Sequence, residues 1–148
     1  MKSAYRYLAL SVPVLVAVQA SMITFGTFGI FSYLEDDKSY STSVAESGDV
    51  AGAAGQMIHG LLGTAVIPLI ALILLALSFF AKVPGGTKWA GFILLDVVAQ
   101  VLLAFTAFGA PVVGVLHGLN AFLLFGLGMM AAQAARQPSA VAQEHAVA

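Results

Sequence analysis

Between Leu8 and Leu34 the chain carries no charged side chain, and three more long apolar runs follow, at about 51–81, 89–108 and 111–135. Nothing constrains the fold more than this pattern. Crossing the hydrocarbon of a bilayer takes about 20 residues of helix. In that medium every backbone N–H and C=O must be bonded within the segment, which leaves the α-helix as the solution for runs of this length. Composition agrees: 9% of the residues are charged and 60% hydrophobic, where a soluble domain carries about 25% charged residues. The expected fold is all-α, an integral membrane four-helix bundle over residues 1–136 with a disordered tail at 137–148. A chain of 148 residues leaves room for one such unit.

Several functions are excluded at once. Without cysteine there are no disulfides, thiolate metal sites or thiol catalysis. The net charge of −1 and the lack of a basic cluster argue against nucleic acid as a partner. The charges that exist are sorted by side. Lys2 and Arg6 precede the first span, Lys82 and Lys88 bracket the turn between spans two and three, and Arg136 follows the fourth. The other side holds Glu35, Asp36, Asp37, Glu46 and Asp49 against Lys38. The positive-inside rule then predicts cytoplasmic termini, with the 35–50 loop and the Gly109-Ala110-Pro111 turn outside. Val18-Gln19-Ala20 could pass as a signal-peptidase site, but the apolar run continues to Leu34, so a retained first helix is expected. His145 falls in the polar tail and is expected to be solvated.

The remaining histidines lie inside the spans, in look-alike settings: Met57-Ile-His59-Gly-Leu-Leu62 and Val115-Leu-His117-Gly-Leu-Asn120. One helix earlier, each has a mid-span glutamine followed by a Phe-Gly pair, in Gln19–Gly29 and Gln100–Gly109. Read as a duplication, spans 1–2 and 3–4 are two copies of one helical hairpin in the same orientation. An axis along the membrane normal would relate them and turn His59 and His117 toward each other. At 1.5 Å per residue both rings lie on the order of 10 Å below the outer ends of their helices.

Two neutral imidazoles at one depth on different helices, with an apolar pocket between them, suit a bis-histidine b-type haem. The i±3 and i±4 neighbours share the face of each ring. For His59 these are Gly55, Gln56, Leu62 and Gly63; for His117 they are Val113, Gly114, Asn120 and Ala121. The expected cofactor-binding set is therefore His59, His117, Gly55, Gln56, Gly63, Gly114, Asn120 and Ala121, with the two histidines as metal ligands. Phe25, Phe28, Phe105 and Phe108 could supply bulk around the ring. Zinc or copper would want further ligands, and no acid or cysteine lies at the histidine level. The alternatives are a packing or accessory subunit, in which each histidine bonds across a helix interface, and a small transporter lined by Asp96 and the glutamines. No nucleophile–base arrangement or nucleotide loop points to catalysis.

With these residues in view, the chain resembles one four-helix half of the heme A synthases. It also resembles small uncharacterised bacterial four-helix membrane proteins with paired intramembrane histidines and mid-span glutamines. The resemblance covers about residues 5–135 and is specific at His59, His117, Gln19 and Gln100. It implies a haem-binding role for the two histidines, in a bacterial inner membrane, and electron transfer or haem handling with a redox protein or quinone as partner. A homodimer is also open. Heme A synthases have a second bundle, and many carry an outer cysteine pair and a glutamate used in haem oxidation. Here there is one bundle and no cysteine, and Glu35 or Glu46 is only a loose counterpart, so that activity is not carried over.

Other polar and small residues complete the expectations. Gln19 and Gln100 should bond to each other or to backbone, and Asp96 is a proton relay, a quinone contact or a protonated structural acid. Pro68 should kink span two. Gly114-x-x-x-Gly118 with Gly126 and Gly128 should give span four a close-packing face, and Trp89 should anchor the interface.

Overall fold

In the computed structural model, residues 1–36 and 38–137 are described. Asp37 lies outside them, as do His145 and the rest of the tail beyond Gln137. Among the described residues the secondary structure is entirely helical: α1 (Lys2–Glu35), α2 (Thr42–Ser47), α3 (Ala51–Leu61), a π-helical turn (Leu62–Val66), α4 (Ile67–Ala81), α5 (Gly86–Gly109) and α6 (Val113–Ala134). The α3–π–α4 stretch is one span, so four helices are long and apolar enough to cross a membrane: Lys2–Glu35, Ala51–Ala81, Gly86–Gly109 and Val113–Ala134. This fits a multi-pass membrane protein. Large apolar side chains point outward throughout, with Phe108 87% and Phe122 78% exposed, a surface that water penalises and lipid tolerates.

The loop between the first two long apolar helices is not wholly irregular. Ser41 caps α2 by accepting a bond from the Val44 N–H, and Gly48 ends it at φ 80°, the left-handed conformation that glycine adopts without a Cβ clash. Beside it, an exposed Lys38–Asp36 pair at 2.8 Å holds the Asp36 carboxyl below its ordinary range, by hydrogen bond and charge.

The chain divides into two compact units: Ala17–Val66, and residues 1–16 together with those from Ile67 onward. In the first, α1 and α3 meet along a glycine seam. A Cβ on Gly29 would lie 2.5 Å from Gly52 Cα, and one on Gly55 would lie 2.5 Å from Met22 O. Only hydrogen fits there, so Gly26-x-x-Gly29 and Gly52-x-x-Gly55 allow backbone-to-backbone packing.

In the second unit, Tyr5, Ala9, Val12, Ala71, Leu74, Ala90 and Ile93 are fully buried. The small residues among them let the helices approach, and the larger ones fill the gaps. Tyr5 donates its hydroxyl to Gly86 O at 2.8 Å, and Lys2 Nζ donates to Gln137 O at 2.6 Å. The start of α1, the α4–α5 turn and the end of α6 thus meet at one end, the end that carries Lys2, Arg6, Lys82, Lys88 and Arg136. Of the four glycines expected to form a packing face on α6, Gly128 does so: its Cβ would lie 2.6 Å from Pro13 Cδ. Gly118 and Gly126 have open space beside them and Gly114 is in ordinary contact at 3.9 Å from Ala107 Cβ. The face is a single point of close approach.

The π-turn explains itself through Pro68. A proline has no N–H for the carbonyl four residues back, here Thr64 O, and its ring collides with that carbonyl in a regular α-helix. Widening the preceding turn relieves the collision. The Thr64 hydroxyl bonds Gly60 O at 2.7 Å within the loosened stretch.

Candidate functional site

Each of the two histidines in the long apolar helices is held in the same way. His59 Nδ1 lies 3.1 Å from Gln19 O, and His117 Nδ1 lies 3.0 Å from Gln100 O. A carbonyl only accepts, so each ring carries its proton on Nδ1. A neutral imidazole so protonated keeps its lone pair on Nε2. The glutamines expected to bond through their side chains thus contribute first through their backbone. That contact depends on the placement of a main-chain carbonyl, to which residue type gives no clue. The sequence showed the order, each glutamine-bearing span followed by a histidine-bearing one, but not that the two residues would bond.

Around His59, α3 and the π-turn carry the expected neighbours. Gly55 is buried in the seam against Met22 and Gly26, and Gln56 packs on Gly26, its Cγ 3.0 Å from where a Cβ would stand. Gly63 lies in the π-turn, where a Cβ would be 2.7 Å from Gln19 Nε2. The space beside these two glycines is filled by α1. Gln19 Oε1 is buried and has no hydrogen-bond partner among the described residues.

Around His117 the polar groups interlock. Gln100 Nε2 donates to His117 O at 3.0 Å and lies 3.5 Å from His117 Nε2. Asn120 Nδ2 donates to Gln100 Oε1 at 2.8 Å and lies 3.4 Å from Asp96 O. Helical spacing makes this possible: Asp96 and Gln100 are one turn apart on α5, and His117 and Asn120 three residues apart on α6. Asp96 is 8% exposed, and its Oδ2 has no partner among the described residues. Asn120 is also the polar member of an open groove of about 410 Å³, otherwise lined by Leu103, Leu116, Leu119 and Leu123. Gly114 and Ala121 are half-buried.

The four phenylalanines expected to surround the rings are exposed, Phe25 at 47% and Phe105 at 60% among them. Sequence reasoning missed the glycine seam, although its two Gly-x-x-Gly pairs were present as a signal. It also missed that Asn120 would clamp Gln100.

What this arrangement can do follows from its donors. Among the described residues no group of three or more histidines, cysteines or acids could hold a metal ion, so an all-protein metal cage is not built here. A metal-binding histidine has its second nitrogen bonded to a carbonyl or carboxylate, which fixes the ring and raises its basicity, and both rings meet that condition. Compared with known proteins, the chain matches no family model, no curated protein and no solved structure.

Proposed function

We propose that the protein is a membrane b-type cytochrome-like protein in which His59 and His117 supply the axial ligands of one haem near the outer leaflet. The observation that carries this reading is the repeated bond from imidazole Nδ1 to a glutamine carbonyl, at 3.1 and 3.0 Å, which fixes in both rings the tautomer that carries its lone pair on Nε2. The chain's own part is to hold those rings, exclude water through the apolar spans, and place Gln56, Gly114, Asn120 and Ala121 near them, while Gly55 and Gly63 pack against α1. Bound haem supplies one-electron chemistry. In this reading the spans form a bundle of two similar hairpins in a bacterial inner membrane with both termini cytoplasmic. The partner is a redox protein or a quinone, and the protein carries electrons or handles haem rather than catalysing a reaction.

The same bonds favour one competing reading. Each ring ties two helices together, and a strut of that kind needs no cofactor. Absorption spectra of the detergent-purified protein from haem-replete cells separate the two. Low-spin haem b gives a sharp α band on dithionite reduction, lost in His59→Ala and His117→Ala. A colourless preparation would support the strut.

A further inference from the structure

The second copy contains a contact that the haem reading does not need and has to overcome. Gln100 Nε2 stands 3.5 Å from His117 Nε2, the nitrogen that would bind a metal, while the same amide donates to His117 O at 3.0 Å. Its other end is fixed, since Asn120 Nδ2 donates to Gln100 Oε1 at 2.8 Å. A metal bonds an imidazole nitrogen at about 2 Å. An amide donor and a metal carrying a macrocycle cannot share one lone pair.

We propose that Gln100, clamped by Asn120, guards the His117 Nε2 lone pair and must swing away before His117 takes any ligand. Gln100 is thus a positioning residue with two parts. Its backbone carbonyl sets the tautomer that makes Nε2 a ligand, and its side chain holds that ligand in reserve. The clamp is specific to this copy. The residue three positions past His59 is Leu62, whose side chain cannot donate, and Gln19 Oε1 has no hydrogen-bond partner among the described residues. Loading through His117 is therefore governed by an amide latch. What the latch restrains rests on the haem reading; the latch itself does not.

The test uses the full-length protein in detergent with two probes. Diethyl pyrocarbonate acylates an imidazole nitrogen that bears a lone pair and needs no cofactor, and its rate at each histidine is read by mass spectrometry. Hemin titration reads the cofactor. Gln100→Met keeps the length of the side chain and removes the donor; Asn120→Leu leaves the glutamine in place and removes its clamp. In both variants the acylation rate at His117 should rise about twofold, the equivalent of a hydrogen bond at the weak end of the range, as a 3.5 Å contact is, with the rate at His59 unchanged as the check on folding. Hemin affinity should rise in the same two variants. If one variant fails to fold, the other carries the test. Unchanged or slower acylation at His117 in a folded variant overturns the latch, whatever hemin does. Faster acylation without hemin binding in any form upholds the latch and removes the haem reading.

Discussion

The two histidine sites begin from the same plan and are finished differently. In both, a mid-span glutamine offers its backbone carbonyl to the imidazole of the next helix, at nearly equal distances. The first copy then relies on backbone proximity: Gly26 and Gly29 against Gly52 and Gly55, with Gly63 in a π-turn making room for the Gln19 side chain. The second relies on side-chain bonds, with Gln100, Asn120 and the His117 carbonyl closed into a small network. The lesson is that a bundle of apolar helices can hold one imidazole geometry with two different supports. Close glycine packing gains dispersion contacts, whereas a polar network satisfies groups that lipid cannot.

The largest way to break the comparison is to fill the seam. Gly29→Ala or Gly55→Ala forces backbone apart in the first copy and should cost about 2 kcal/mol or more, as overpacking does. Gly118→Ala and Gly126→Ala meet open space and should be neutral or up to about 1 kcal/mol stabilising, from helix propensity. Unfolding in detergent–SDS mixtures measures both. Equal sensitivity of the two sets would dissolve the distinction.

Next in size is the glutamine exchange. Gln100→Leu removes the bonds with Asn120 and the His117 carbonyl and should cost about 1–2 kcal/mol. Gln19→Leu removes an amide whose oxygen is buried and unbonded, and should cost less than about 0.5 kcal/mol. The reverse order would show that the second copy's network is not what supports it.

A smaller change sharpens the account of the π-turn. Pro68→Ala restores an N–H that can bond Thr64 O, so the Leu62–Val66 stretch should relax toward regular α-helix. Amide exchange at residues 64–68 should then slow, with a stability change below about 1 kcal/mol. Persistence of the π-turn with unaltered exchange would assign it to the Gly63–Gln19 contact instead.

Smallest is the ion pair in the loop after α1. The lowered pKa of Asp36 means that its contribution is present above the unfolded carboxyl value and is lost as pH falls. Lys38, raised by the same contact, contributes below its own unfolded value and loses that contribution as pH rises. Both groups are exposed to solvent, so Lys38→Ala should leave the melting temperature unchanged between mildly acidic and neutral pH.

Much of the fold was legible because membrane solvation acts on composition, and composition is what a sequence displays. The four spans lie where the apolar runs lie. α1 begins earlier than its run, at Lys2, because its first turns belong to the packed end where Tyr5 meets Gly86. The sequence order was also legible, a mid-span glutamine followed one span later by a histidine, although the separations differ, 40 residues in one case and 17 in the other. The kind of bond was not. Helical periodicity tells which residues share a face with His59, but not which helix covers that face. Gly55 and Gly63 were therefore read as room for a ring, although the structure fills the space beside them with α1. The π-turn left one trace, Pro68, which announces a disturbance without its form.

The claim at the centre is that the two imidazoles act as a ligand pair. The measurement that tests it most directly is the spin state and stoichiometry of haem in the purified protein and in the two single variants, His59→Ala and His117→Ala. The account predicts one low-spin haem per chain in the parent, and in each variant either loss of haem or conversion to a high-spin, single-ligand form. A parent protein without haem, or a variant that keeps the full low-spin spectrum, would contradict it.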